Sequence, residues 1–287
     1  MSATANATTV HESPGARAFR RFWRRGTTRI AAAVLLIVTL SAIFAPWLAP
    51  YDPAQIDLFN TLAAPSAEHW LGTDENGRDI LSRLLYGGRV SIAVGLSAMF
   101  AAIVIGTLLG ALAGYLGGWA DSIISRFIDG FLSIPMFFFL LTALSIFGSS
   151  LPILIIAIAL TNWMQVARIV RGEVLANTQK QFVESATALG LTRMKTLFRH
   201  VLPQSVPSII VAATLGVAYA ILTESALSYL GIGVRPPTPS WGNMLADARG
   251  YIWQSPLLTV WPGMLIFASV LAFNSLGDSL RDATDPT

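Results

Sequence analysis

A helix needs roughly 20 mostly apolar residues to cross a bilayer. Six stretches of this sequence reach or approach that length, at about 30–49, 90–116, 130–147, 151–167, 207–230 and 257–277. The charge content agrees: 12% of residues are charged, against about 25% in an ordinary soluble domain. The pattern predicts an all-α, polytopic membrane protein with six transmembrane helices.

Charge placement orients the spans. Arg17, Arg20, Arg21, Arg24, Arg25 and Arg29 abut the first apolar run, and Arg168, Arg171, Lys180, Arg193, Lys195 and Arg199 lie between the fourth and fifth. Basic residues collect on the cytosolic side, so both segments are expected there, with both termini inside. The first apolar run is longer than the 7–15 residues of a secretory signal core and reads as an uncleaved span. The chain divides into a basic cytosolic tail (1–29), a first span (30–50), an extracytoplasmic loop (51–89) and a five-helix core (90–287). That core contains a cytosolic loop at 168–206. In the second span, Gly106, Gly110 and Gly114 recur every four residues, a flat stripe that lets a neighbouring helix approach closely.

Several polar residues stand out. Arg126 and Asp129 are three apart, so they share a helix face and can pair or snorkel to the headgroups. Glu224 lies inside the uncharged stretch 201–234. A carboxylate there must meet a packed partner, water or a translocation path, and substrate contact and a structural hydrogen bond both remain open. In the outer loop, Asp74, Asn76 and Asp79 invite a calcium reading. An EF-hand loop needs glycine sixth and glutamate twelfth, whereas counting from Asp74 the fourth residue is Gly77 and the twelfth is Leu85. A capped turn leading into an amphipathic segment fits better.

Catalytic signatures are missing from the sequence. There is no phosphate-binding loop of the Walker type, no cysteine, and only three widely spaced histidines. The chain reads as a conduit without a reaction of its own.

The stretch "ESATALGLTRMKTLFRHVLP" (184–203) is charged, helix-forming and broken at Gly190. Leu191, Met194, Leu197, Phe198, Val201 and Leu202 then recur every three or four residues as one apolar stripe, and Pro203 cannot continue the ladder. A helix–break–helix lying under the membrane is expected. Amphipathicity alone does not separate a docking element from an interfacial helix.

Glu184, Ala186, Gly190, Leu202 and Pro203 match the spacing of a known signature: Glu-Ala-Ala, three residues, Gly, nine residues, Ile-x-Leu-Pro. Ser185 replaces the first alanine and His200 the isoleucine. In this the chain resembles the membrane subunits of binding-protein-dependent ABC importers. "HWLGTDENGRDILSRLLYGGRVS" (69–91), "YLGIGVRPPTPSWGNMLADAR" (229–249) and "NSLGDSLRDATDP" (274–286) are similar to the second membrane subunit of the dipeptide/oligopeptide/nickel permeases.

That resemblance implies the membrane-domain fold of a type I ABC importer in a bacterial-type inner membrane, moving di- or oligopeptides, or nickel or another small solute. It implies a homologous second permease subunit, one or two cytosolic ABC ATPases and an external substrate-binding protein. ATP and magnesium would sit on the ATPases, no cofactor is expected in this chain, and no nucleic acid is expected among the partners. Residues 184–197 would be the coupling helix, with Glu184, Ser185, Ala186, Gly190, Leu202 and Pro203 as its signature. Asp74, Gly77, Arg78, Asp79 and Trp241 are candidates for external docking or gating. An ion-coupled secondary transporter using Glu224 and a membrane scaffold are the rival readings.

Overall fold

A computed structural model describes residues 14–284; His11 and the ends of both tails lie outside the described residues. The elements run α1 (Pro14–Arg24), α2 (Gly26–Ile43), α3 (Ala45–Leu48), α4 (Ile80–Leu116), α5 (Gly118–Leu132), α6 (Met136–Phe147) and α7 (Leu151–Thr178). They continue with α8 (Gln181–Ala188), α9 (Arg193–Thr196), α10 (Val206–Tyr229), α11 (Trp241–Ala248) and α12 (Leu257–Thr284). Five helical stretches are long and apolar enough to cross a membrane, and α5 with α6 makes a sixth if that bent pair is one span.

The third span is where the sequence reading needs correction. It is two helices meeting at 84°, not one run over 130–147. Pro135 offers no N–H to the helical ladder and disfavours helical backbone at Ile134, so the chain turns at that point.

Two other spans are longer than their apolar runs. Helix α4 starts at Ile80 because Asp79 caps it, accepting from the Ser82 amide at 2.8 Å. Helix α7 continues to Thr178, well past 167. Arg171, on this extension, is held by Asp121 of α5, with Nη2 2.8 Å from the carboxylate.

The core is built on α4, α7 and α10. The glycine stripe lies against α7 as expected. A Cβ at Gly106, Gly110 or Gly114 would come 2.6, 2.4 or 2.6 Å from the carbonyl oxygens of Trp163, Ala167 or Arg171. Only hydrogen fits there, and the two backbones pack directly. Outward, Leu36, Phe100, Phe138 and Phe267 are largely exposed, the mark of helices that meet hydrocarbon.

Helices α2 and α12 join the two ends of the chain. Thr28 donates to Ser279 at 2.8 Å, and Arg25 pairs with Asp282. The start of the first span and the end of the last therefore lie at one edge. The loop carrying α8 and α9 returns to this same edge, while 44–79 and α11 belong to the opposite one.

Candidate functional site

Three sets of residues singled out by the sequence fall in three places: the loop between α7 and α10, the interior of the helix bundle, and the opposite edge.

Helix α8 ends in a fully formed Schellman motif. The Gly190 amide donates to the Thr187 carbonyl at 3.0 Å and the Leu191 amide to the Ala186 carbonyl at 3.2 Å, with Gly190 at φ +80°. A Cβ at Gly190 would meet nothing within 4 Å, so the glycine is required by its left-handed backbone alone. Val183 and Ala186 are buried against the bundle. Glu184, Ser185 and Gly190 are exposed, and so is Leu189, at 81%. The helix thus offers a carboxylate and an apolar tip on a frame anchored by Val183 and Ala186 and closed at Gly190.

Beyond the break, the expected stop at Pro203 does not occur. Without the Pro203 N–H the ladder widens to a π turn over Leu197–Val201, then tightens to a 3-10 turn over Leu202–Ser205. The trace continues from Arg193 to Tyr229 as one long stretch. The predicted apolar stripe divides. Leu197 and Val201 are fully buried, while Met194 and Phe198 are about half exposed. Arg193, Lys195 and Arg199 are exposed.

Glu224 of α10 is completely buried. It accepts from Ser228 at 2.7 Å, from Ser91 of α4 at 2.8 Å and more weakly from Ser225 at 3.4 Å. Ser91 also accepts from the Trp241 amide at 3.3 Å. Of the two readings left open by the sequence, this geometry is the structural hydrogen bond. The Ser228 contact was within reach of local reasoning, since i and i+4 share a helix face. Ser91 was not.

Asp129 pairs with Arg168 of α7, not with Arg126. The i, i+3 pairing that the spacing allowed within α5 gives way to one that ties the bent third span to the fourth.

The external candidates are the clearest correction. Asp74, Arg78, Asp79 and Trp241 are all at least nine-tenths buried, so their side chains hold the far edge together and offer no docking face. Asp74 takes Arg78 Nε at 2.7 Å and also binds Arg83. Asp247 of α11 receives Arg83 Nη2 at 3.0 Å, which the sequence reading missed. Gly77, at φ +72°, sits where a Cβ would be 1.7 Å from the Asp57 carbonyl oxygen. Asp79 also holds His69 at 3.0 Å. Trp241 was expected among the external docking or gating candidates. Its ring instead lies over Gly88, where a Cβ would be 2.8 Å from the indole, and its Nε1 donates to the Leu84 carbonyl at 3.1 Å.

Glu75 borders this cluster. Burial first, and then the charge of Asp74, push its carboxyl above the ordinary carboxylate range. Among the described residues, no group of three or more His, Asp or Glu is placed to hold a metal ion.

Comparison with known proteins accounts for the arrangement. Residues 106–287 match the family described as binding-protein-dependent transport system inner membrane component, and residues 13–65 match the N-terminal TM domain of oligopeptide transport permease C. The chain is 43% identical over 269 residues to the glutathione transport system permease protein GsiD of Escherichia coli O6:K15:H31 (strain 536 / UPEC), covering 93% of this chain and 89% of the relative. The same values hold for GsiD of Shigella boydii serotype 4 and of Shigella sonnei. Among solved structures, an inward-facing conformation of the MetNI methionine ABC transporter has a similar fold. Its TM-score is 0.56 at 21% identity, covering 71% of this chain and 97% of that one.

Proposed function

The chain belongs to the binding-protein-dependent transport system inner membrane components, and we propose that it is one of two permease subunits of an ATP-driven importer of short peptides. Glutathione, a tripeptide and the cargo named for its 43% identical relatives, is the first candidate substrate. The chain carries no catalysis of its own. ATP and magnesium are bound by one or two cytosolic ATPases, and an external binding protein delivers the cargo.

The observation that carries this reading is α8. It is a short helix closed rigidly by Gly190, with Glu184 and Leu189 exposed, in the segment connecting α7 to α10. Such an element can pass a displacement from a partner to two spans at once. Both termini and this loop lie in the cytosol. The arginine-rich start and the Thr28–Ser279 contact at the same edge support that orientation.

The test is reconstitution of the chain with its second permease, ATPases and binding protein in liposomes. Labelled glutathione, a dipeptide and Ni²⁺ are offered with and without ATP. ATP-dependent peptide uptake that survives collapse of ion gradients is expected. Uptake of Ni²⁺ alone would reassign the cargo, and uptake driven by an ion gradient without ATP would overturn the mechanism.

A further inference from the structure

Glu224 is sealed among serines, so any polar group meeting the cargo inside the membrane must be elsewhere. A cavity of about 190 Å³ opens between α4, α7 and α10, lined in part by Met99, Asn162, Gln165, Gly216 and Tyr219. Taking the end of each span at the far edge as origin, Gln165 lies about 21 Å along α7 and Tyr219 about 15 Å along α10 at 1.5 Å per residue. Both depths fall within a hydrocarbon layer about 30 Å thick.

Gln165 and Tyr219 are exposed at this depth, Tyr219 by 50%. Neither side chain has a hydrogen-bond partner among the described residues. Asn162 commits one Nδ2 hydrogen to the Ile158 carbonyl at 2.8 Å, leaving its second N–H and Oδ1 to offer. A carboxamide and a phenol facing lipid would forfeit their hydrogen bonds. Polar groups at this level belong on a wetted path or a packed interface.

We infer that Asn162, Gln165 and Tyr219 form this subunit's wall of the translocation path and hydrogen-bond the amide groups of the passing peptide. The inference rests on the importer reading above. Amide and phenol groups donate and accept without charge, which suits the peptide unit common to every short peptide. Gly216 keeps the recess open, because a Cβ there would come 2.2 Å from Met99 Sδ. The recess is smaller than the roughly 300 Å³ of a complete ligand pocket, so the second permease supplies the opposite wall.

The absence of cysteine from the chain makes the test direct. Gln165→Cys and Tyr219→Cys are each introduced into the full transporter, assembled in nanodiscs so that both membrane faces are open. They are treated with a charged methanethiosulfonate reagent, with Phe267→Cys on α12 as the lipid-facing comparison. Both cavity positions are expected to label, at rates at least about tenfold above Phe267→Cys, since the reagent reacts only where water reaches. A transported peptide loaded through the binding protein is expected to slow that labelling. Cavity thiols as unreactive as Phe267→Cys would overturn the inference and reassign the surface to the contact with the second permease. Labelling that transported peptide leaves unchanged would overturn the peptide contact. Wild-type uptake, measured alongside, reports separately on the importer reading.

Discussion

Glu224 of α10 and Ser91 of α4 are joined by a 2.8 Å hydrogen bond at a point where both residues are fully buried. Ser228 and Ser225 complete the set on α10, and Ser91 extends it to the Trp241 amide of α11. One carboxyl group thereby ties three helices together. Glu224→Ala leaves the serine hydroxyls without their acceptor and opens a void, at a cost of about 2–5 kcal/mol. Thermal unfolding of the purified complex should show a large loss for Glu224→Ala and a smaller one for Glu224→Gln, which keeps the shape and one acceptor. A Glu224→Ala protein as stable as the wild type would show that the network contributes nothing.

Glycines of this chain separate into crowded and open sites. Gly110→Ala puts a methyl group 2.4 Å from the Ala167 carbonyl oxygen, which forces α4 and α7 apart and costs about 1–3 kcal/mol. At Gly130, within α5, a Cβ would meet nothing within 4 Å. Gly130→Ala should be neutral or stabilising by about 0.4–1 kcal/mol. Melting temperatures of the two variants, measured side by side, test whether the glycine stripe is a packing surface.

Glu75 gives the far edge a pH dependence of known sign. Three acids (Asp74, Glu75 and Asp247) face two arginines (Arg78 and Arg83) in this cluster, and Glu75 Oε2 is buried without a partner. Its carboxyl is raised above the ordinary range, so the folded state holds the proton more tightly than the unfolded one. The contribution to stability is full below the ordinary carboxylate pKa and declines as pH rises through the raised value. Glu75→Gln should flatten the fall in melting temperature over that interval. An unchanged slope would remove Glu75 as its source.

The third of the six expected spans is a pair of helices bent by 84°; the other five were legible because an apolar run of membrane length has few other uses. Their ends were not. Residues 80–89 and 168–178 are too polar to read as span, yet they are helical because Arg83 and Arg171 are neutralised by Asp74, Asp247 and Asp121. Asp247 is 164 residues from Arg83, and no local pattern carries that contact. Trp241 misled for a similar reason. A tryptophan in an extracytoplasmic segment reads as available for docking, and only the pairing of α11 with Gly87 and Gly88 reveals the slot that buries it. The loop between α7 and α10 was the most legible part, since the left-handed turn at Gly190 is a local requirement. Pro203 was less so: its missing N–H was foreseeable, but a π turn followed by a 3-10 turn is one of several ways to absorb it.

The central claim is that α8 receives motion from an ATPase through its exposed face. Co-purification of the ATPase subunits with tagged wild type, Glu184→Lys and Gly190→Asp measures this most directly. Both positions are exposed, so neither change reaches the core; Gly190→Asp strains the left-handed turn that closes α8, a local effect, and both variants should reach the membrane and pair with the second permease. ATPase recovery should fall about tenfold or more in both, through reversal of an exposed charge in Glu184→Lys and through displacement of the α8 tip in Gly190→Asp. Full ATPase recovery and unchanged uptake in both variants would contradict the account.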